Sequence, residues 1–136
     1  MNFFLDNTFA PKLGPALALL AERDDHTVVH LMDRFRGDTD DLEWISAVGR
    51  WPEAWVILSG DRRIATNPQR LAALRSSRRT AFFMPSNYPR LPHWDQAWQL
   101  VKWFPAIAGK AGTASVQRIY EVKSNGSILE MRLRSR

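Results

Sequence analysis

The sequence of 136 residues contains no cysteine. Disulfide bonds and thiolate metal sites are therefore excluded. No run approaches the roughly 20 apolar residues that cross a bilayer, and the N-terminus has neither the basic segment nor the long apolar stretch of a signal peptide. We therefore expect a cytoplasmic protein. With 45% hydrophobic and 24% charged residues, the composition predicts one globular domain.

Acidic residues are scarce in the second half of the chain. Residues 61–136 have four Asp or Glu against fourteen Lys or Arg, whereas residues 1–60 have ten against five. The overall net charge of +5 conceals this asymmetry. The acidic half is suited to holding cations, and the basic half to attracting a polyanion. A phosphodiester substrate that is drawn to a metal site needs both properties.

Short apolar runs alternate with helical patterns along most of the chain. The predicted strands are 3–6, 27–31, 54–58 and 80–84, and the predicted helices are 11–22, 40–49, 68–77 and 93–108. This alternation indicates βαβ units and therefore an α/β fold with a mainly parallel sheet. A loop is expected over 59–67. Pro105 is expected to kink the last helix or to end it near Phe104.

The C-terminal segment, residues 115–134, has the pattern of two strands joined around Asn125-Gly126. Asn-Gly is the strongest short signal for a hairpin turn. The hairpin has one apolar face to bury. It is expected either to cover an edge of the sheet or to form a partner interface, and the pattern leaves both alternatives open.

Two apolar runs are each followed by an aspartate. Phe3-Phe4-Leu5 precedes Asp6, and the run that begins at Trp55 leads through Ser59-Gly60 to Asp61. The carboxyl ends of parallel strands share one edge of the sheet, where α/β proteins place their ligands. Two carboxylates there, with a third from a helix, form a hard-oxygen site for Mg²⁺ or Mn²⁺. Each aspartate is equally compatible with a structural role in its turn.

The third carboxylate has to come from the segment that opens the second helix. If Asp40 is the N-cap, Glu43 completes a capping box and both residues are explained without a function. Asp41 lies on the same helical stripe as Ile45 and Val48, where capping does not account for it. We therefore favour Asp41 as the third ligand, with Glu43 as the alternate.

Several residues near these aspartates are candidates for substrate contact. Arg62 and Arg63 directly follow Asp61, where guanidinium groups bind phosphate in a bidentate manner. Asn7 fits a substrate contact or a turn, and Ser59 and Asn67 are also candidates for substrate contact. Trp94, Trp98 and Trp103 form an aromatic set on the last helix, for which we favour packing against the sheet over stacking on bases.

Five segments together resemble the PIN domain superfamily, and in particular the small PIN-like proteins grouped with VapC-type toxins of bacterial toxin-antitoxin modules. These segments are 1–7, 28–31, 41–45, 59–64 and 81–83. The resemblance covers about residues 1–108. It implies a Rossmann-like, three-layer fold with helices on both faces of the sheet. It also predicts a PIN-like nuclease domain over 1–110, with 111–136 as a C-terminal hairpin extension of it.

The resemblance also implies a function, that of a metal-dependent endoribonuclease toxin that cleaves structured RNA such as tRNA or rRNA. Mg²⁺ or Mn²⁺ would be its cofactor, a small antitoxin its inhibitor and a second copy a frequent partner. The family's acids are matched by Asp6, by Asp61 and by either Asp41 or Glu43. Its small hydroxyl position is matched by Ser59. Where many members have a fourth acid, this chain offers only Asn67. A degenerate module that binds nucleic acid or a protein without cleaving is the alternative.

Overall fold

The computed structural model describes residues 1–133. Its six-stranded sheet has the order β2-β1-β3-β4-β5-β6. The strands are β1 Asn2–Leu5, β2 Thr27–His30, β3 Trp55–Ser59, β4 Thr80–Phe83, β5 Ile119–Val122 and β6 Ile128–Glu130. The helices are α1 Leu13–Ala21, α2 Asp41–Arg50, α3 Arg63–Thr66, α4 Pro68–Ser77 and α5 His93–Gly112. Short 3₁₀ turns lie at Glu22–Asp24, Leu31–Asp33 and Tyr88–Arg90.

The first five strands run parallel, as the alternating pattern predicts. Because a parallel strand is covered by helices on both sides, its side chains are apolar on both faces. All five residues of β3, for example, are buried. The first four strand predictions are confirmed to within about one residue at each end. The two hairpin strands are shorter than predicted, since β5 begins at Ile119 rather than near 115 and β6 ends at Glu130, with residues 131–133 outside it.

Helices cover both faces of the sheet, which gives the expected three-layer α/β architecture. On one face, Phe3, Leu5 and Leu58 pack with apolar residues of α1 and α5. On the other face, Phe4 and Ile57 pack with α2 and α4. The two faces take alternate residues of the same strands, because successive strand side chains point in opposite directions.

Helix α5 extends through Pro105 to Gly112, so the prediction that the proline ends the helix near Phe104 is wrong. A proline inside a helix costs roughly 3 kcal/mol, chiefly from a lost hydrogen bond and a steric clash. Buried side chains on both sides of Pro105 offset that cost, since burying each large apolar residue contributes about 1.5–3 kcal/mol. These residues are Leu100, Phe104, Ile107, Ala108 and Ala111.

The expected packing of the α5 tryptophans is wrong for two of the three. The side chains of Trp94 and Trp98 are 81% and 58% exposed. Trp103 is partly buried against the core. The spacing from Trp94 to Trp98 is helical, but the face that it marks is turned away from the sheet, whose contacts are made by the neighbouring stripe through Leu100 and Phe104.

The C-terminal hairpin extends the sheet. β5 pairs parallel with β4, and β6 pairs antiparallel with β5. The turn is at Asn125-Gly126, where Gly126 has a φ of +87° that favours glycine. Of the two alternatives, the hairpin therefore covers the β4 side of the sheet. Arg134, at the end of the predicted second arm, lies outside the described residues. In the described chain, no helix is both long and apolar enough to cross a membrane.

Candidate functional site at the carboxyl edge of the sheet

The neighbouring strands β1 and β3 bring the two predicted aspartates to one edge. Leu5 is in register with Leu58, and the amide of Asp6 donates to the carbonyl of Leu58 at 3.1 Å. The chain leaves β1 toward β2 on one side, whereas β3 connects to β4 on the other. Such a topological switch point leaves a crevice beyond the strand ends, where ligands bind in open α/β sheets.

The Asp6 carboxylate is buried, with only 2% of the residue exposed. Oδ1 accepts from the amide of Thr8 at 3.0 Å and from the Thr8 hydroxyl, and Oδ2 accepts from the Ser59 hydroxyl. Burial raises the pKa of Asp6 to about 6, and the charge of Asp41 adds to this, while the three hydrogen bonds oppose it. Asp6 therefore has the turn role that was one of its two alternatives, in a setting where it titrates near neutrality.

Ser59 and Thr8 connect the two aspartate loops. The Ser59 hydroxyl, which donates to Asp6, accepts from the amide of Asp61 at 2.9 Å. The Thr8 hydroxyl accepts from the amide of Gly60 at 2.7 Å. Sequence reasoning missed Thr8, although an aspartate in a turn commonly accepts from the backbone amide two residues later, as Asp6 does here. These hydroxyls hold the loops in one arrangement.

Asp61 is bound on both oxygens by Arg63. Oδ1 accepts from the amide and the Nε of Arg63 at 3.0 and 2.9 Å, and Oδ2 accepts from Nη2 at 2.9 Å. These hydrogen bonds are the main reason why the pKa of Asp61 is lowered, although partial burial opposes them. The side chain of Arg63 is 77% exposed and that of Asp61 is 14% exposed. The arginine therefore lies over the carboxylate from the solvent side.

Asp41 opens α2 and is also paired. Its Oδ1 accepts from Trp44 Nε1 at 3.0 Å, and its Oδ2 forms an ion pair with Arg70 Nε of α4, also at 3.0 Å. The charge of Asp41 acts on the pKa values of both Asp6 and Arg63, so the helix carboxylate belongs to the same electrostatic cluster. Asp40 is the N-cap of α2 and accepts from the amide of Leu42. Glu43, the alternate ligand, is exposed.

Three of the predicted substrate contacts have structural hydrogen bonds. Asn7 donates to the carbonyl of Gly37 at 2.9 Å, and Asn67 is the N-cap of α4, accepting from the amide of Arg70 at 3.0 Å. Arg62 donates to the carbonyls of Met84 and Val122, at 3.1 and 3.3 Å, and lies 3.5 Å from Glu121. Only 26% of its side chain is exposed, so Arg62 chiefly joins the site to β4 and β5.

An open cavity of about 340 Å³ lies against this cluster. The residues that line it are Thr8, Gly60, Asp61, Arg62, Arg63, Ser86 and Pro89. Arg62 lines both this cavity and a second one, of about 280 Å³, which reaches Lys123 and Ser124 in the hairpin turn. The edge of the sheet thus offers a solvent-open crevice with both acidic and basic walls.

The donors at this edge suit a hard divalent cation, because carboxylate and hydroxyl oxygens are what Mg²⁺ and Mn²⁺ prefer. The arrangement of these carboxylates, however, is less suited to a metal ion. Within residues 1–133, no group of three or more His, Cys, Asp or Glu side chains is placed to hold a metal ion. Each oxygen of Asp6, Asp41 and Asp61 accepts from a protein donor. A cation would therefore have to displace arginine contacts.

A family model described as a PIN-like domain matches residues 1–86. The chain belongs to that family. The match covers β1 through the end of β4, and so includes Asp6, Asp41 and Asp61. No curated protein and no solved structure matches the chain. The PIN-like domain is a nuclease-type fold. Proteins with PIN domains are generally nucleases, and therefore hydrolases, and they usually use divalent metals. The resemblance to the superfamily is therefore confirmed.

Proposed function

We propose that this protein is an endoribonuclease, the toxin of a toxin-antitoxin module, and that it hydrolyses phosphodiester bonds in RNA at the carboxyl edge of the sheet. One observation carries the proposal. Asp6 and Asp61 follow neighbouring strands at the topological switch point and are linked through the Ser59 hydroxyl, and the charge of Asp41 on α2 acts on the pKa of Asp6. A purely structural turn at Asp6 does not require the helix acid Asp41.

The cofactor in this proposal is Mg²⁺ or Mn²⁺, with Asp6, Asp41 and Asp61 as its ligands and Glu43 as an alternate to Asp41. A divalent cation bound by carboxylates supplies water activation and neutralises charge that develops on phosphate. The protein's own contribution is to hold these carboxylates at one edge. Ser59 and Thr8 fix Asp6, and Asn67 caps the helix that presents Arg70.

Arg63 is the residue best placed to contact a phosphate. Its guanidinium lies at the rim of the cavity and is largely exposed, so it can turn from Asp61 to an incoming anion without a change in the backbone. The basic character of residues 61–136 favours approach of a polyanion to this rim. A cytoplasmic location, a small antitoxin and a homodimer are part of the same proposal.

The test is isothermal titration of Mn²⁺ into the wild type and into the Asp6→Asn plus Asp61→Asn variant, with cleavage of total tRNA assayed on the same samples. We expect binding and cleavage in the wild type and neither in the variant. The matched control is Asp24→Asn plus Asp25→Asn, which removes two exposed carboxylates just before β2, at the amino edge of the sheet, and should leave both unchanged. Far-ultraviolet circular dichroism establishes that each variant is folded.

A second candidate function is that of a module that binds nucleic acid or a protein and does not cleave. The pairing of Asp61 with Arg63 and of Asp41 with Arg70 favours it, because a site without a cation would be stabilised in this way. A wild type that binds no Mn²⁺ and leaves tRNA intact would establish this alternative and overturn the nuclease proposal.

A further inference from the structure

One stripe of α5 exposes large apolar side chains. Trp94 and Trp98, one helical turn apart, are 81% and 58% exposed, and Val101 follows at 38%. Exposed apolar side chains that are grouped, rather than scattered singly, mark interaction sites in soluble proteins. The core contacts of α5 do not use this stripe, since they are made by Leu100 and Phe104.

The stripe continues to the hairpin turn. The ring centroids of Trp98 and Trp103 are 6.0 Å apart in an edge-to-face arrangement, and Trp98 remains 58% exposed in that contact. Trp103 in turn packs against Gly126, where a Cβ atom would lie only 2.6 Å from the indole nitrogen. Glycine at this position therefore allows the turn between β5 and β6 to contact the tryptophans directly.

The hairpin turn joins this stripe to the candidate site. Lys123 and Ser124, in the same turn, line the smaller cavity together with Arg62 and Ser86. Arg62 and Ser86 also line the larger cavity, together with Asp61. A continuous surface therefore leads from the carboxylate cluster, across the turn, to Trp98 and Trp94. We call it the turn surface.

The chemistry of the turn surface changes along its length. Near the carboxylates it has Arg63 and Lys123, the latter paired with Glu121, and along α5 it has flat aromatic faces with the exposed Lys102 beside them. Cationic groups bind phosphates, and exposed aromatic faces bind bases that are not already stacked in a duplex. An unpaired RNA strand presents a phosphate and an unstacked base at every nucleotide.

We propose that the turn surface binds a single-stranded RNA segment, with bases stacked on Trp94 and Trp98 and the backbone leading to the carboxylate edge. The inference rests on the proposed function and adds to it a binding surface on α5 and the hairpin, outside the residues 1–86 that the family model matches. A second copy of the chain is a weaker occupant, because a stable interface buries about 800 Å² on each partner. Two tryptophans and a valine make only a narrow strip, and Asp95 and Lys102 lie beside it.

The test measures binding apart from cleavage. A fluorescein-labelled 12-nucleotide oligouridylate is titrated with protein in EDTA, and its anisotropy gives the Kd. We expect the Trp94→Ala plus Trp98→Ala variant to bind at least about tenfold more weakly than the wild type, because each stacked base contributes substantially to affinity. Trp94→Phe plus Trp98→Phe should retain most of the affinity, since phenylalanine keeps a ring.

The matched control is Leu19→Ala plus Leu20→Ala, which truncates an exposed aliphatic pair on α1 that is 69% and 58% exposed. Its Kd should equal that of the wild type. Equal affinity in the Trp94→Ala plus Trp98→Ala variant, or no binding by the wild type, would overturn the inference. So would a wild type that sediments as a dimer and a tryptophan variant that sediments as a monomer, because the stripe would then be an interface between copies.

The experiments distinguish a failure of the turn-surface proposal from a failure of the nuclease proposal. If the oligouridylate binds through the tryptophans but Mn²⁺ produces no cleavage, the turn surface is supported and the nuclease proposal is overturned. If tRNA is cleaved and the tryptophan variant retains both its oligouridylate affinity and its cleavage rate, the nuclease proposal stands and the turn surface does not.

Discussion

Arg63 binds both carboxylate oxygens of Asp61, two residues before it in the chain, through Nε and Nη2 at 2.9 Å each. The pairing neutralises the aspartate that was expected to serve as a metal ligand. Arg70 binds Asp41 in a similar way through a single contact at 3.0 Å. Two of the three clustered carboxylates are therefore held by arginines, and any cation has to compete with them.

Replacing Arg63 with alanine should strengthen binding of Mn²⁺ roughly two- to fivefold, because an exposed ion pair is weak and its loss frees both oxygens of Asp61. The same variant should bind RNA more weakly at saturating Mn²⁺, since a guanidinium at the cavity rim is lost. Titration calorimetry and oligonucleotide anisotropy measure the two effects.

The matched control for Arg63→Ala is Arg118→Ala, which removes an arginine that is paired with Glu130 at 3.4 Å and directly precedes β5, at the amino edge of the sheet. Its affinities for Mn²⁺ and RNA should be those of the wild type. Weaker Mn²⁺ binding in Arg63→Ala would show that the arginine supports the cation site rather than competing with it.

Asp6 should make the folded protein less stable as the pH rises. Its pKa is about 6 in the folded state and 3.8 in an exposed aspartate, so protonated Asp6 is favoured by folding. The resulting stabilisation is fully present below pH 3.8 and is lost as the pH rises through 6. Between pH 4.5 and 7.5, the loss in the free energy of unfolding should be roughly 2 kcal/mol.

Urea denaturation at pH 4.5 and 7.5 tests this expectation, with Asp6→Asn as the comparison. An amide does not titrate, so the variant should lack this part of the pH dependence, while the contributions of all other groups are shared and cancel. The control Asp24→Asn should behave as the wild type does. An unchanged pH dependence in Asp6→Asn would mean that the pKa of Asp6 is close to its ordinary value.

Gly49→Ala should destabilise the protein by roughly 1–3 kcal/mol through overpacking. A Cβ at Gly49 would lie 2.9 Å from the Cα of Ser77, so α2 and α4 would have to separate. Gly109→Ala is the matched change in α5, where nothing lies within 4 Å, and it should stabilise the protein by about 0.5–1 kcal/mol. Urea denaturation measures both.

The Gly49 prediction also concerns the site, because α2 provides Asp41 and α4 provides Arg70. A separation of the two helices should weaken this ion pair. If Gly49→Ala were as stable as Gly109→Ala, the close approach of α2 to α4 would not be a constraint on the fold.

Local patterns in the sequence were sufficient for the sheet and for the position of the aspartates. Buried parallel strands require continuous apolar runs, and a strand end fixes where the following residue lies. Asp6 and Asp61 could therefore be placed at one edge before the fold was known. The helix predicted over 68–77 is confirmed to the residue, because Asn67 and Pro68 are strong start signals.

The partners of the charged side chains were decided by tertiary structure. Arg62 and Arg63 are adjacent in sequence, yet one joins β4 to β5 and the other binds Asp61. Likewise, α5 passes through Pro105 because its buried stripe offsets the cost of the proline, and its tryptophans are exposed because that stripe lies beside them. Local patterns specify backbone states and burial tendencies, but the direction of a long polar side chain depends on acceptors that are distant in sequence and near only after folding.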